Sequence, residues 1–268
     1  MSLATHMPEV VRTRVGSTVE RLVYQDRLSG PDGEPYVPGL AQRLSLATSR
    51  ALVERGHTPP WTWSSAECRE FWAARDHTGT GNEPAAYAEK STAIVDALNA
   101  FWSPDVGPAN SVLELGCNAG ANLAALQAMG FGDLAGVEIS SDALEELARR
   151  FPELERAATL HHGPAEEIMP RLPDASVDVV FTMAVLLHIH PSSHDVLEHM
   201  VRIARRHVCV VEAEHVLCAY IFPRNYQQVF ERLGCVQIRE QTITRRTHPE
   251  VEDGYFGYTA RLFRTPPR

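Results

Sequence analysis

Val112-Leu113-Glu114-Leu115-Gly116-Cys117-Asn118-Ala119-Gly120 is the stretch that decides the fold. A short apolar run predicts a strand over 111–115. A glycine turn follows, and residues 121–129 read as a helix stopped by Gly130. Gly116 and Gly120 let the backbone approach a ligand with no Cβ in the way. The helix that opens behind them presents free N–H groups suited to a carboxylate or phosphate. Cys117, inside the turn, reads as a small apolar filler.

Outward from this unit, strand and helix patterns alternate. Strands are predicted over 134–139, 159–162, 177–182, 208–212, 236–240 and 258–263. Helices are predicted over 142–151, 165–169, 192–206 (capped by Ser192 or Ser193) and 225–233 (stopped by Gly234). In the first of these, Glu145–Arg149 and Glu146–Arg150 form i,i+4 pairs. Upstream, Asn82 caps a helix that begins at Pro84 and runs to Phe101 or Trp102. Seven strands interleaved with helices imply an α/β architecture, a mostly parallel sheet covered on both faces. Ligands of such sheets lie at the carboxyl ends of the strands. That singles out 114–120, 138–140, 163–166, 182–190 and 212–215.

Glu138 ends the second strand 138 − 120 = 18 positions beyond Gly120, where a carboxylate accepts both hydroxyls of a ribose. A pyrophosphate fingerprint would need G-x-G-x-x-G. Here Asn118 takes the middle position and Ala121 follows Gly120. The nucleoside therefore fits and the pyrophosphate does not.

The first 83 residues have a different texture and read as a cap or lid on the domain 84–268. They hold Pro/Gly stretches such as 29–35 and 58–60, predicted helices over 10–28 and 39–55, and the aromatics Trp61, Trp63, Phe71 and Trp72. Residues 77–83 read as a loop.

The composition narrows the partners. The chain has 268 residues, 25 Lys plus Arg against 34 Asp plus Glu, and a formal charge of −9. Such an acidic balance argues against a nucleic acid. No apolar run is long enough to span a bilayer, and residues 1–11 carry no secretory pattern. Five Cys without a CxxC pair exclude a disulfide framework, and the expectation is a cytoplasmic protein. A homodimer is allowed. Neither HExxH nor Cys/His spacing is present, so no metal is expected.

In these motifs the chain resembles the class I S-adenosylmethionine-dependent methyltransferases, over roughly residues 87–263. Their acidic residue followed by Gly-x-Gly-x-Gly is matched by Glu114, Gly116 and Gly120, with Asn118 replacing the middle glycine. Glu138 matches the ribose-binding acid. Gly163-Pro164-Ala165-Glu166 stands at the adenine loop, and 178–189 match the fourth-strand motif. Within the superfamily, 181–189 together with Phe71-Trp72 and Tyr87 resemble the methylases associated with pseudaminic acid biosynthesis. The resemblance implies a Rossmann-like fold with an N-terminal helical cap. It implies S-adenosyl-L-methionine as cofactor, held by Tyr87, Glu114, Gly116, Asn118, Gly120, Glu138, Ile139, Ala165, Glu166, Thr182 and Met183. It also implies a small-molecule acceptor with a hydroxyl, amine or carboxyl group.

Methyl transfer from a sulfonium is a direct displacement that rewards orientation. A hydroxyl or amine acceptor also gains from a base near neutrality, the range of histidine. The chain has 12 His, several of them between 188 and 215. His188, His190 and His215 are the candidate catalytic residues, with Trp72 and Glu214 against the substrate. His194 and His199 read as surface or packing. Two alternatives stand beside this reading: a non-catalytic cofactor-fold partner or sensor, and a nicotinamide-dependent oxidoreductase. The second is disfavoured by the glycine pattern.

Overall fold

A computed structural model describes residues 23–74 and 83–267. Seven strands share one sheet: β1 (Val112–Leu115), β2 (Leu134–Glu138), β3 (Thr159–His162), β4 (Val177–Met183), β5 (Ala204–Glu212), β6 (Val236–Thr242) and β7 (Thr259–Arg264). Their order is β3-β2-β1-β4-β5-β7-β6, with β7 antiparallel to both neighbours and the other pairings parallel. β1 pairs with β2 on one side and β4 on the other. The order therefore reverses at β1, and this switch opens a crevice beyond the carboxyl ends of β1 and β4.

Alternation along the strands feeds two cores. Val179 and Phe181 of β4 pack with Trp102, Leu123 and Leu147 on one face. Val180 packs with Leu113, Leu115, Val208 and Val196 on the other. The helices are α1 (Leu40–Val53), α2 (Ser65–Ala73), α3 (Pro84–Ala88), α4 (Ala93–Trp102), α5 (Ala121–Ala128), α6 (Ser141–Arg150), α7 (Pro152–Ala157), α8 (Ala165–Ile168), α9 (Asp195–Ile203) and α10 (Tyr226–Arg232). Leu28, Leu46, Val53, Trp63 and Cys68 join the same core cluster as Trp102 and Phe181. Gln25 pairs with Leu217 through two backbone hydrogen bonds of 2.8 and 2.5 Å. The N-terminal segment thus shares its core with the sheet.

Several expectations change. Of the helix predicted over 10–28, residues 10–22 lie outside the described residues, and 24–28 carry β-bridges instead. Asn82 and most of the 77–83 loop are also outside them, and Glu83 precedes α3. The predicted 84–102 helix is two helices. Ser91 Oγ accepts from the Ala93 amide at 3.2 Å and the Ser91 amide donates to Glu252 at 3.1 Å. Such local bonds compete with the helical ladder. The 192–206 helix is shorter, because Pro191–Ser193 form a 3₁₀ turn and 204–206 already pair in β5. In α6 the ion pair formed is Glu146–Arg149, while Arg150 reaches Glu89 at 3.7 Å. α7, started by Pro152, was not anticipated.

Candidate active site

The crevice is a cavity of about 580 Å³, within the range of small-molecule and cofactor sites. Its sheet side is built from the turns after β1, β2 and β4. At Gly116, φ is +75°, and a Cβ would overlap the side chain of Val185 across the turn. Asn118 is also left-handed, at φ 46°, which Asn tolerates better than most residues. Its Oδ1 accepts from the Ala119 amide at 2.6 Å, tightening the turn. Its own amide donates to Glu138 Oε2 at 2.8 Å, and the Ser140 amide donates to Oε1 at 2.8 Å. The Glu138 carboxylate therefore holds one fixed donor per oxygen, with lone pairs left over. Burial raises its pKa against the pull of those amides.

Glu114 lies beneath this surface, off the cavity wall. Its Oε1 accepts from Asn122 Nδ2 at 2.7 Å, and its Oε2 has no hydrogen-bond partner among the described residues. Burial pushes its pKa up to about 8. Glu114 thus positions Asn122, which does line the cavity. Gly120 also lies off the wall. With φ +76°, a Cβ there would stand 2.5 Å from Leu147 Cδ1, so this glycine serves helix packing. Thr182 is buried and donates to the Leu115 carbonyl at 3.1 Å, tying β4 to β1. Gly116, Asn118, Glu138, Ile139, Ala165, Glu166 and Met183 line the cavity together, and so does Tyr87 from α3.

Next to Tyr87, Lys90 places Nζ 3.4 Å from the Tyr87 ring centroid, a cation–π contact. Burial lowers its pKa to about 8. The break between α3 and α4 leaves Lys90 beside Ala121 and Asn122, at the start of α5.

The turn after β4 is strained, with Ala184 at φ 58°. Glu212, at the end of β5, holds it by accepting from the amides of Val185, Leu186 and Leu187 at 3.0, 2.9 and 3.2 Å. Buried Arg224 donates to the carbonyls of Leu186 and Ile189. This clamp delivers His188 to the cavity wall.

The three candidate histidines part ways here. His188 Nδ1 lies 3.1 Å from the Tyr220 carbonyl. A carbonyl only accepts, so Nδ1 carries the proton and Nε2 keeps its lone pair. Burial lowers the His188 pKa to about 4, so the ring is neutral at physiological pH. His190 also lines the cavity, but both its nitrogens are engaged. Nδ1 accepts from the Ser192 amide at 3.1 Å, and Nε2 meets Thr58 Oγ1 at 3.1 Å. His215 lies off the wall, with Nε2 2.7 Å from the Leu28 carbonyl. Glu214, also off the wall, pairs with Arg261 at 2.6 Å. The end of β5 therefore supplies braces, and the Glu/His pair expected there is spent on structure.

Trp72 lines the cavity, with Trp63 and Phe71 packed behind it. Sequence reasoning missed Leu28, Cys68, Lys90, Tyr220, Tyr255 and Tyr258. They come from five separate segments, and no local pattern marks them. Among the described residues no three His, Cys, Asp or Glu side chains converge as a metal site. None of the described helices is long and apolar enough to cross a membrane.

Residues 113–211 match the family described as "Methyltransferase domain". No curated protein sequence matches the chain. Solved structures share its fold. A methyltransferase of Haloferax volcanii, in complex with the Trm112 methyltransferase activator, is 17% identical with a TM-score of 0.52, over 69% of this chain and 98% of that one. Phosphoethanolamine N-methyltransferase 2 of Haemonchus contortus, with phosphomonomethylethanolamine and S-adenosylhomocysteine, is 15% identical with a TM-score of 0.58, over 79% and 62%. Geranyl diphosphate C-methyltransferase of Streptomyces coelicolor, with Mg2+, geranyl diphosphate and S-adenosylhomocysteine, is 12% identical with a TM-score of 0.52, over 76% and 88%. The match covers a methyltransferase domain over residues 113–211, β1 to β5 of the sheet, and the fold is shared with solved methyltransferases. Two of these structures were solved with S-adenosylhomocysteine, the demethylated product of S-adenosylmethionine.

Proposed function

We propose that the chain methylates a small molecule at a hydroxyl or amine, with His188 receiving the acceptor's proton. The observation that carries this is the juxtaposition, in one cavity, of the Gly116 turn and Glu138 with a tautomer-fixed histidine. The residues fit the cofactor. Glu138 would take the ribose hydroxyls on its two free lone pairs, and Gly163 to Glu166 would border the adenine. Lys90 and the start of α5 would hold the carboxylate of the amino-acid end.

When bound, S-adenosylmethionine supplies a methyl carbon on a cationic sulfur, and that C–S electron pair stays with sulfur as the acceptor lone pair takes the carbon. The protein's share is orientation and proton removal. His188 Nε2 offers a lone pair, which orients an O–H or N–H and repels a carboxylate. Its weak basicity suffices, because the proton leaves an atom already bonding to carbon. His190, fixed by Thr58 and Ser192, keeps the loop in register.

Titration calorimetry with S-adenosylhomocysteine is the test. Binding is expected, with Lys90→Met weakening it about tenfold by loss of a charge-assisted contact. The absence of heat with the wild-type chain would overturn the assignment. His188 stays neutral above its lowered pKa, so turnover should lack a histidine limb between about pH 5.5 and 7.5. A limb near 6.5 that vanishes in His188→Gln would show that His188 itself titrates there and overturn its lowered pKa.

A further inference from the structure

Resting on that reading, we infer that the acceptor is a neutral, planar aromatic hydroxyl compound. The inference starts from how the charges at the cavity are spent. Arg69 is paired with Glu166 and Glu167 at 2.7 and 2.9 Å. Asp253 meets Arg245 at 3.2 Å, and Glu252 accepts the Ser91 amide. Glu138 takes two amides, and Lys90 stands on the Tyr87 ring at the glycine-turn end. Among the described residues, no free cation remains to receive a phosphate or carboxylate on the acceptor side.

What remains there is aromatic. Trp72 lies 4.4 Å from His188 between ring centroids. His188 and Tyr220 are stacked at 5.5 Å and 21°. Phe71 and Trp63 buttress Tyr220 at 5.6 and 5.3 Å. A wall of flat rings, backed by a second layer, offers stacking area with little rotamer freedom to lose on binding. Among the polar groups beside these rings, His188 Nε2 is an acceptor of one hydrogen bond, whereas the hydroxyls of Tyr220, Tyr255 and Tyr258 can also donate. A flat ring bearing one hydroxyl satisfies both features: its face meets the wall and its O–H points at Nε2. The oxygen then forms the new O–CH₃ bond, the C–S pair remains on sulfur, and the hydroxyl proton passes to Nε2 and on to water.

The contrast with two structural neighbours is chemical. Those two were solved with a phosphomonoester and a diphosphate, ligands that need free cations. The test uses the full chain saturated with S-adenosylhomocysteine, whose own binding is measured first. Four probes follow: 2-naphthol, its saturated analogue decahydro-2-naphthol, 6-hydroxy-2-naphthoate and phosphoethanolamine. The expected result is 2-naphthol binding about tenfold or more tighter than each of the others. Tyr220→Leu should lose most of that preference while retaining S-adenosylhomocysteine, and Tyr220→Phe should keep it. Equal binding of the saturated alcohol, tighter binding of a charged probe, or no binding of 2-naphthol overturns the inference. Failure to bind S-adenosylhomocysteine strikes the methyltransferase reading instead.

Discussion

The two halves of the cavity are built by opposite strategies. On the sheet side, the working groups fall within a few residues of strand ends, and backbone amides aim them. Glu138 is held by Asn118 and Ser140, and the turn after β4 is held by Glu212. On the cap side, Leu28, Cys68, Trp72, Tyr220 and Tyr258 arrive from distant parts of the chain and are held by packing. The first strategy fixes polar geometry through short-range hydrogen bonds. The second shapes apolar space through long-range burial. One fold can therefore keep its cofactor end while its acceptor end varies.

If that division is real, breaking the sheet side should abolish cofactor binding and leave the fold. The largest effect is expected for Glu138→Ala. Losing a buried carboxylate that, as proposed, takes two ribose hydroxyls should cost about 3 kcal/mol or more, roughly a hundredfold in S-adenosylhomocysteine affinity. Calorimetry checks it, and an affinity unchanged from wild type would remove Glu138 from the ribose. Trp72→Leu is the counterpart on the cap side, and it should leave that affinity within about threefold.

The two glycines of the turn sharpen the same comparison. Both have φ near +75° and no room for a Cβ. Strain and overpacking together predict losses of about 2–4 kcal/mol for either alanine variant, read by chemical unfolding. Gly116→Ala should also cut cofactor affinity, because its Cα lines the cavity. Gly120→Ala should not, because its neighbours are Leu147 and Leu154.

This pair also marks how far the sequence could be read. The strand, turn and acid of 112–138 are local signals, and the strand alternation fed two faces, so the fold and the place of Glu138 on the cavity wall were legible. The roles of Gly120 and Thr182 were not, because both belong to one motif whose residues look alike until packing separates them. His188, His190 and His215 looked equivalent for the same reason. Their difference lies in what meets each ring: the Tyr220 carbonyl, the Thr58 and Ser192 groups, and the Leu28 carbonyl. Tyr220 and Tyr258 carried no signal at all, since nothing near them in sequence announces a cavity.

The sheet side also stores charge strain. Glu114 and Glu212 have folded pKa values raised to about 8 and about 7 by burial. A raised carboxyl favours folding most below its unfolded value of about 4.5, and that advantage is lost as pH rises through the folded value. The ligand-free enzyme should therefore lose stability between about pH 5.5 and 8.5, on the order of 2 kcal/mol or several degrees in Tm. Glu114→Gln should flatten part of that slope. A Tm that rises across this window would mean that the sheet side relieves the charge by another route.

The smallest effect concerns the seam between the halves. Arg69 of α2 spans to Glu166 and Glu167 of α8, joining the N-terminal segment to the 163–167 stretch across the cavity rim. Its side chain is 43% exposed, and exposed ion pairs contribute about 0–1 kcal/mol. Arg69→Ala should therefore change stability by less than about 1 kcal/mol, with S-adenosylhomocysteine still bound. The seam should show in kinetics: dissociation of S-adenosylhomocysteine, followed by stopped-flow Trp fluorescence, should quicken a few-fold. Rising salt should quicken the wild type toward the variant, because screening weakens an exposed pair. If both proteins release the ligand at one salt-independent rate, the halves are joined by the shared core around Leu28, Trp63 and Cys68 alone. The bridge would then be ornament on a seam that packing already closes.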